Sequence, residues 1–140
     1  MFLLDTNVVS ELLRPSPDPM VESWVADRLA AELHFSAVGE AELRYGVAIL
    51  PAGRRREALA LAIEAILRED FEERVLPFDS AAAREYAHIA ASRRAAGRPI
   101  APTDCQIASI ARSRGMAVAT RNVRDFEDID IEVLDPWSGA

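Results

Sequence analysis

The chain has 140 residues, half of them hydrophobic and 28% charged, which suits a single globular unit with a proper core and excludes a disordered chain. Its formal charge of −7 argues against simple electrostatic attraction to a polyanion. The absence of lysine excludes Schiff-base chemistry and a P-loop. One cysteine permits no internal disulfide, no apolar run approaches the roughly 20 residues of a membrane span, and no secretory signal opens the chain, so a cytoplasmic setting without membrane contact is expected.

Taken in order, residues 1–4 predict a short buried strand that stops at Asp5, where helical spacing begins through Val8, Val9, Leu12 and Leu13. An acid at the end of such a strand stands where open α/β sheets bind ligands, yet Asp5-Thr6-Asn7 serves equally as a turn with an N-cap. Further apolar runs at 33–37, 74–78, 117–120 and 131–134 predict strands. Helical patterns fill 7–13, 20–31, 38–50, 55–69, 80–96 and 102–114, with one turn near 122–126. Asp79 or Ser80 caps the fifth helix and Gly97 stops it, while Pro102 opens the sixth and Gly115 ends it. Strands alternating with helices, without hairpin signals, imply crossovers and a three-layer α/β/α fold around a mainly parallel sheet of about five strands. Neither linkers nor repeats interrupt the chain, so residues 1–140 are expected to form one domain.

Four acids stand out. In SAVGEAELRYGV, Gly39, Glu42 and Gly46 share one helix face, leaving room for a bulky approach although glycine weakens a helix by about 1 kcal/mol. Glu40 differs, since it can pair with Arg44 on a solvent face; a plain surface glutamate is the bland reading of Glu42. Asp104 in RPIAPTDCQIASIA opens a helix, where the dipole alone would favour an acid by about 0.3–1 kcal/mol. In VATRNVRDF, Asn122 and Asp125 have capping-box-like spacing. Each acid has a local explanation, but strand ends and first helical turns can converge on one edge of a parallel sheet. Carboxylates gathered there would repel one another unless cations neutralise them. Oxygen ligands without a Cys/His cluster suit Mg²⁺ or Mn²⁺ rather than zinc, and two such ions support phosphodiester cleavage. Metal would also lift the electrostatic objection to RNA binding.

LLDTNVVSELL, ELRYG, PTDCQIASIA and VATRNVRDF followed by IEVLDPW occur in an order that resembles PIN-domain proteins, specifically VapC/FitB-type toxins of bacterial toxin–antitoxin pairs. The resemblance covers nearly the whole chain. It implies a PIN-like fold and a Mg²⁺-dependent endoribonuclease, with Mn²⁺ as substitute, that hydrolyses RNA phosphodiester bonds. It also implies inhibition by a VapB/FitA-like antitoxin, a homodimer held around residues 38–75, a larger hetero-oligomer with antitoxin, and operator DNA reached only through the antitoxin. Asp5, Glu42 and Asp104 match the acidic metal-binding positions, and Thr6 and Thr120 the supporting polar ones. Asn122 departs from the pattern, since many members carry aspartate there. Asn122 stays in the catalytic set as a neutral carbonyl oxygen; Asp125 then completes the catalytic charge, supports the ligands from behind, or only caps a turn, and otherwise a second metal binds weakly and arrives with substrate. The departure keeps open an alternative function: a weakly active or inactive PIN module working with its antitoxin in a repressor complex.

Among the arginines, Arg93, Arg94 and Arg98 lead directly into the Asp104 motif and Arg121 and Arg124 flank Asn122, making them RNA-backbone candidates. Arg54, Arg55 and Arg56 at a helix start are expected at a solvated turn or subunit contact. His34 and His88 lack partners at ligand spacing and are read as structural, Cys105 as a buried small hydrophobe, and Trp24 and Trp137 as packing residues. A phosphoacceptor or nucleotide-binding domain is rejected: there is no site lysine, no Asp-x-Asp after the first strand, and no glycine-rich phosphate loop.

Overall fold

The computed structural model describes residues 1–138. Five short strands form one sheet: β1 (Phe2–Leu4), β2 (Leu33–Ser36), β3 (Val75–Leu76), β4 (Ala117–Ala119) and β5 (Val133–Leu134). Six α-helices connect them: α1 (Thr6–Leu12), α2 (Pro19–Ala26), α3 (Ala37–Ala48), α4 (Arg54–Ala65), α5 (Ser80–Ala95) and α6 (Pro102–Ser113). The strand order is β3-β2-β1-β4-β5 and every pair is parallel, as the absence of hairpin signals implied. The expected α/β/α arrangement is therefore present.

Strand alternation sends successive side chains to opposite faces, and the two cores follow from it. Leu3 and Val118 point to the layer of α5 and α6, where they meet Ile89, Ile107 and Ile110. Leu4, Phe35 and Ala119 point to the other layer, against Val8, Val21, Leu43 and Ile63 of the first four helices. The chain builds leftward from β1 through β2 to β3, then crosses to the opposite side of β1 for β4. Strand order thus reverses between β1 and β4, and a crevice opens outside their C-terminal ends.

The Asp79 cap agrees with the sequence, and Ser36 and Asp18 add two that it did not name. Asp79 Oδ1 accepts from the Ala82 amide at 3.0 Å, Ser36 Oγ from Gly39 at 2.8 Å and Asp18 Oδ1 from Met20 at 2.8 Å. Gly97 (φ 72°) and Gly115 (φ 66°) end α5 and α6 in left-handed backbone. Helix boundaries moved most in α2 and α4. The second helix stops at Ala26 rather than continuing to 31, because Arg28 Nη1 takes the Trp24 carbonyl at 2.6 Å and a 3₁₀ turn at Ala30–Glu32 redirects the chain into β2. The fourth ends in a π-turn at Ile66–Asp70, which re-aims Phe71 into the core. Strands β3 and β5 are shorter than their apolar runs, since only two residues of each have a neighbour to pair with.

Candidate active site

The crevice gathers residues that are more than a hundred positions apart. Asp5 follows β1, is buried, and serves as N-cap of α1: its Oδ1 accepts from the Thr6 amide at 2.8 Å. Its Oδ2 accepts from Thr120 Oγ1 at 2.7 Å, at the end of β4. Capping and site placement are therefore the same fact, not alternatives. Asn7, which the sequence reading left out of the site, donates through Nδ2 to Thr120 Oγ1 at 3.3 Å and accepts at Oδ1 from the Arg121 amide at 3.3 Å. The signal was its position two residues from Asp5, to whose Oδ2 it also donates at 3.4 Å, but its other partners lie across the sheet.

Glu42 enters from α3. Thr6 Oγ1 donates to Glu42 Oε1, joining the first two motifs. Gly39 permits this approach, though not by leaving a space for ligand: a Cβ there would fall 2.4 Å from Phe35 Cε1 and 3.2 Å from Thr6 Oγ1. Gly46 does face open space, on an apolar groove of about 820 Å³ between α1, α3 and α4 that begins at Thr6 and Glu42. Glu40, as expected, pairs outward with Arg44 at 2.8 Å.

Asp104 lies half-buried in the first turn of α6, and Asp125 in the 3₁₀ turn Val123–Phe126 after β4. Asp104 has its proton affinity pushed up to about 6, first by burial and then by the charges of Asp5, Asp125 and Glu42. Asp5 is also shifted upward: burial dominates, the bonds from Thr120 and Thr6 oppose it, and Glu42 and Asp125 add to it. Four carboxylates thus share one electrostatic neighbourhood. Asn122 is exposed; its amide bonds Thr120 Oγ1 at 3.0 Å and its side chain makes no capping bond, so the capping-box pairing with Asp125 is not formed.

An all-oxygen acidic donor set in which burial and neighbouring charge make Asp5 and Asp104 resist ionisation fits a hard divalent cation. Among the described residues, no three His, Cys, Asp or Glu side chains are already drawn into a metal-holding group. The fit is one of chemistry and charge, with the carboxylates still apart.

The arginine expectations need correction. Arg93 is buried, and its guanidinium holds the carbonyls of Arg98, Asp125 and Glu127, so it is not available to an RNA backbone. Arg98 is paired with Asp128 at 2.7 Å and with Glu127 at 3.5 Å. Arg94 and Arg124 are exposed, as is Arg121, whose guanidinium lies 5.1 Å from the Trp137 ring centroid. His34 and Cys105 are buried, Trp24 packs edge-on against Phe2, and His88 is exposed on α5.

Comparison with known proteins agrees with this arrangement. The PIN domain family profile matches residues 2–132. The chain is 39% identical to a VapC ribonuclease of Sinorhizobium fredii over the full length of both. It is 39% identical to toxin FitB of Neisseria gonorrhoeae, covering 98% of this chain and 99% of that one. The solved FitAcB structure from Neisseria gonorrhoeae superposes with a TM-score of 0.91 over 98% of this chain and 99% of its counterpart. No helix among the described residues is long and apolar enough to cross a membrane. A parallel sheet with an acidic crevice at its switch point, matched along nearly its whole length, places this chain in the PIN-domain family.

Proposed function

We propose that this chain is the endoribonuclease toxin of a VapBC-type toxin–antitoxin pair, hydrolysing RNA phosphodiester bonds with Mg²⁺ or Mn²⁺. The observation that carries the reading is the convergence of Asp5, Glu42, Asp104 and Asp125 at the crevice, where burial first, and neighbouring negative charge after it, raise the proton affinity of Asp5 and Asp104. Relatives named VapC ribonuclease and toxin FitB support it. Asp5, Glu42 and Asp104 would hold the cation, which when bound supplies charge that activates water and balances the leaving oxygen. Thr120 fixes the orientation of the Asp5 carboxylate, and Thr6 ties Glu42 to the same corner. Asp125 contributes negative charge from the neighbouring turn. Arg94, Arg121 and Arg124 remain exposed for phosphate contact.

A FitAB complex bound to a DNA fragment and a DNA-bound VapBC complex are among the similar solved structures. On that basis the partner of this chain is a VapB/FitA-like antitoxin that carries operator binding. The apolar groove ending at Thr6 and Glu42 suits its tail, and an arginine from that tail would compete with metal for the carboxylates. A homodimer would cover the exposed apolar residues of α3 and α4, and the setting is the cytoplasm. Asn122, a neutral and exposed group in the segment after β4, keeps a second reading open, a repressor-complex module with little nuclease activity.

Cleavage of a structured RNA panel by the purified chain, in Mg²⁺, Mn²⁺ or EDTA, separates the two. Metal-dependent cutting lost in Asp5→Asn and Asp104→Asn is expected. Cutting no greater than in those variants, with either metal, would select the repressor module.

A further inference from the structure

Arg93 poses a problem that helix stability does not solve. It lies in the last turn of α5, where a cation is favourable, but Arg94 beside it supplies that charge from the surface. Arg93 is instead only 7% exposed, and taking a guanidinium out of water costs several kcal/mol unless its donors are well satisfied. Among the described residues it forms no ion pair. Its donors go to backbone carbonyls: Nε to Arg98 at 2.8 Å, and Nη1 to Asp125 and Glu127, each at 3.2 Å.

Those three carbonyls belong to two segments that matter. Arg98 lies on the link from α5 to α6, four residues before α6 opens and six before Asp104. Asp125 and Glu127 lie on the 3₁₀ turn and its exit. Arg98 closes the same junction from outside through Asp128 and Glu127. A planar fork holding several acceptors at fixed angles is something arginine does and lysine reproduces poorly.

We propose that Arg93 is a positioning residue for the acidic site, clamping the backbone of Asp125 so that its carboxylate faces Asp5 and Asp104. This rests on the metal-dependent reading of the site. The clamp gives backbone support to a turn that lacks a side-chain cap, and accounts for a charge buried where an apolar side chain would need no partners.

The test is a double-mutant cycle on Mn²⁺ affinity without RNA, read as free Mn²⁺ by electron paramagnetic resonance, on full-length Arg93→Gln, Arg93→Lys, Asp125→Asn and the Arg93→Gln/Asp125→Asn pair. Hydrogen exchange over residues 123–129 is followed in parallel. Arg93→Gln is expected to weaken Mn²⁺ binding roughly tenfold, in the range seen when a group behind a metal ligand is removed, with Arg93→Lys falling between it and wild type. The pair should bind no more weakly than Asp125→Asn alone, because the effect passes through Asp125. A folded Arg93→Gln with unchanged Mn²⁺ affinity, or losses that multiply in the pair, overturns the proposal. Should Arg93→Gln fail to fold, the Arg93→Lys variant runs through the same cycle under the same criteria. Wild-type Mn²⁺ binding that is indifferent to Asp5→Asn would instead bring down the functional reading, and the clamp with it.

Discussion

Asp104 carries a testable consequence of crowding. Its folded-state proton affinity, at about 6, lies above the ordinary 3.8, so the folded protein keeps a proton that the unfolded chain releases. The group therefore favours folding fully below about pH 4, and that contribution is lost as pH rises through 6. In metal-free protein, Asp104→Asn should raise the melting temperature at pH 7.5 and flatten the decline between pH 4 and 6, measured by thermal denaturation across that range. Mn²⁺ should raise the wild-type melting temperature at pH 7.5 more than that of the variant, because a ligand that binds only the folded state stabilises it. Thr120 acts on the other central acid. Thr120→Val keeps the shape but removes the hydroxyl that donates to Asp5 and accepts from the Asn122 amide. Losing a buried bond to a charged group typically costs about 1.5–3 kcal/mol, to be measured by urea unfolding at neutral pH. The same change removes an influence that restrains the proton affinity of Asp5, so that affinity should climb further.

At the scale of elements, the first turn of α3 is set by what it must pass. Gly39 is buried against the Phe35 ring, which is itself fully buried in the core. Gly39→Ala would gain about 1 kcal/mol of helix propensity. It would also put a methyl within 2.4 Å of a ring atom, and overpacking of that kind costs about 1–3 kcal/mol. A net loss of stability is expected in chemical denaturation. Relief of the clash by moving α3 would also draw Glu42 from Thr6, so cleavage should fall more than stability alone accounts for. Spacing along the helix located both glycines of α3 but misassigned the first: Gly39 and Gly46 are alike in sequence, and only the packing of Phe35 tells a close-contact glycine from an open one. Helix α2 shows the same limit. Its apolar pattern ran on to 31, whereas the backbone had to leave the helix to enter β2 in register.

At the scale of the whole molecule, exposed apolar residues mark where assembly can be tested. Tyr45 on α3, Ile49 at its C-terminal end and Leu61 on α4 are 68%, 64% and 72% exposed, although each is large enough to favour burial. If those helices form the dimer face, Leu61→Glu should leave a folded monomer, seen as halved mass in light scattering at micromolar concentration, while the metal affinity of the acidic crevice stays unchanged. A mass that does not change would remove α4 from the interface. The crevice itself depends on chain topology. Asp5 and Thr120 meet because the chain crosses from β3 to the far side of β1 and returns in parallel as β4. No window of sequence contains both residues.

The sequence by itself determined the element types, the parallel sheet and the identity of the candidate acids. Those follow from local quantities: the period of apolar residues, the chemistry of caps, and acids placed after strands or in first helical turns. Only the tertiary structure decided that capping by Asp5 and its place in the crevice coincide, that Asn7 joins two strands' ends, and that Asp125 shares the charge while the Asn122 side chain makes no cap. It also turned Arg93 from a surface candidate into a buried clamp. The physical reason is common to all of these. A side chain's solvent exposure and its partners across the sheet depend on which segments the crossovers bring together, and composition along one segment does not encode the segment it will meet.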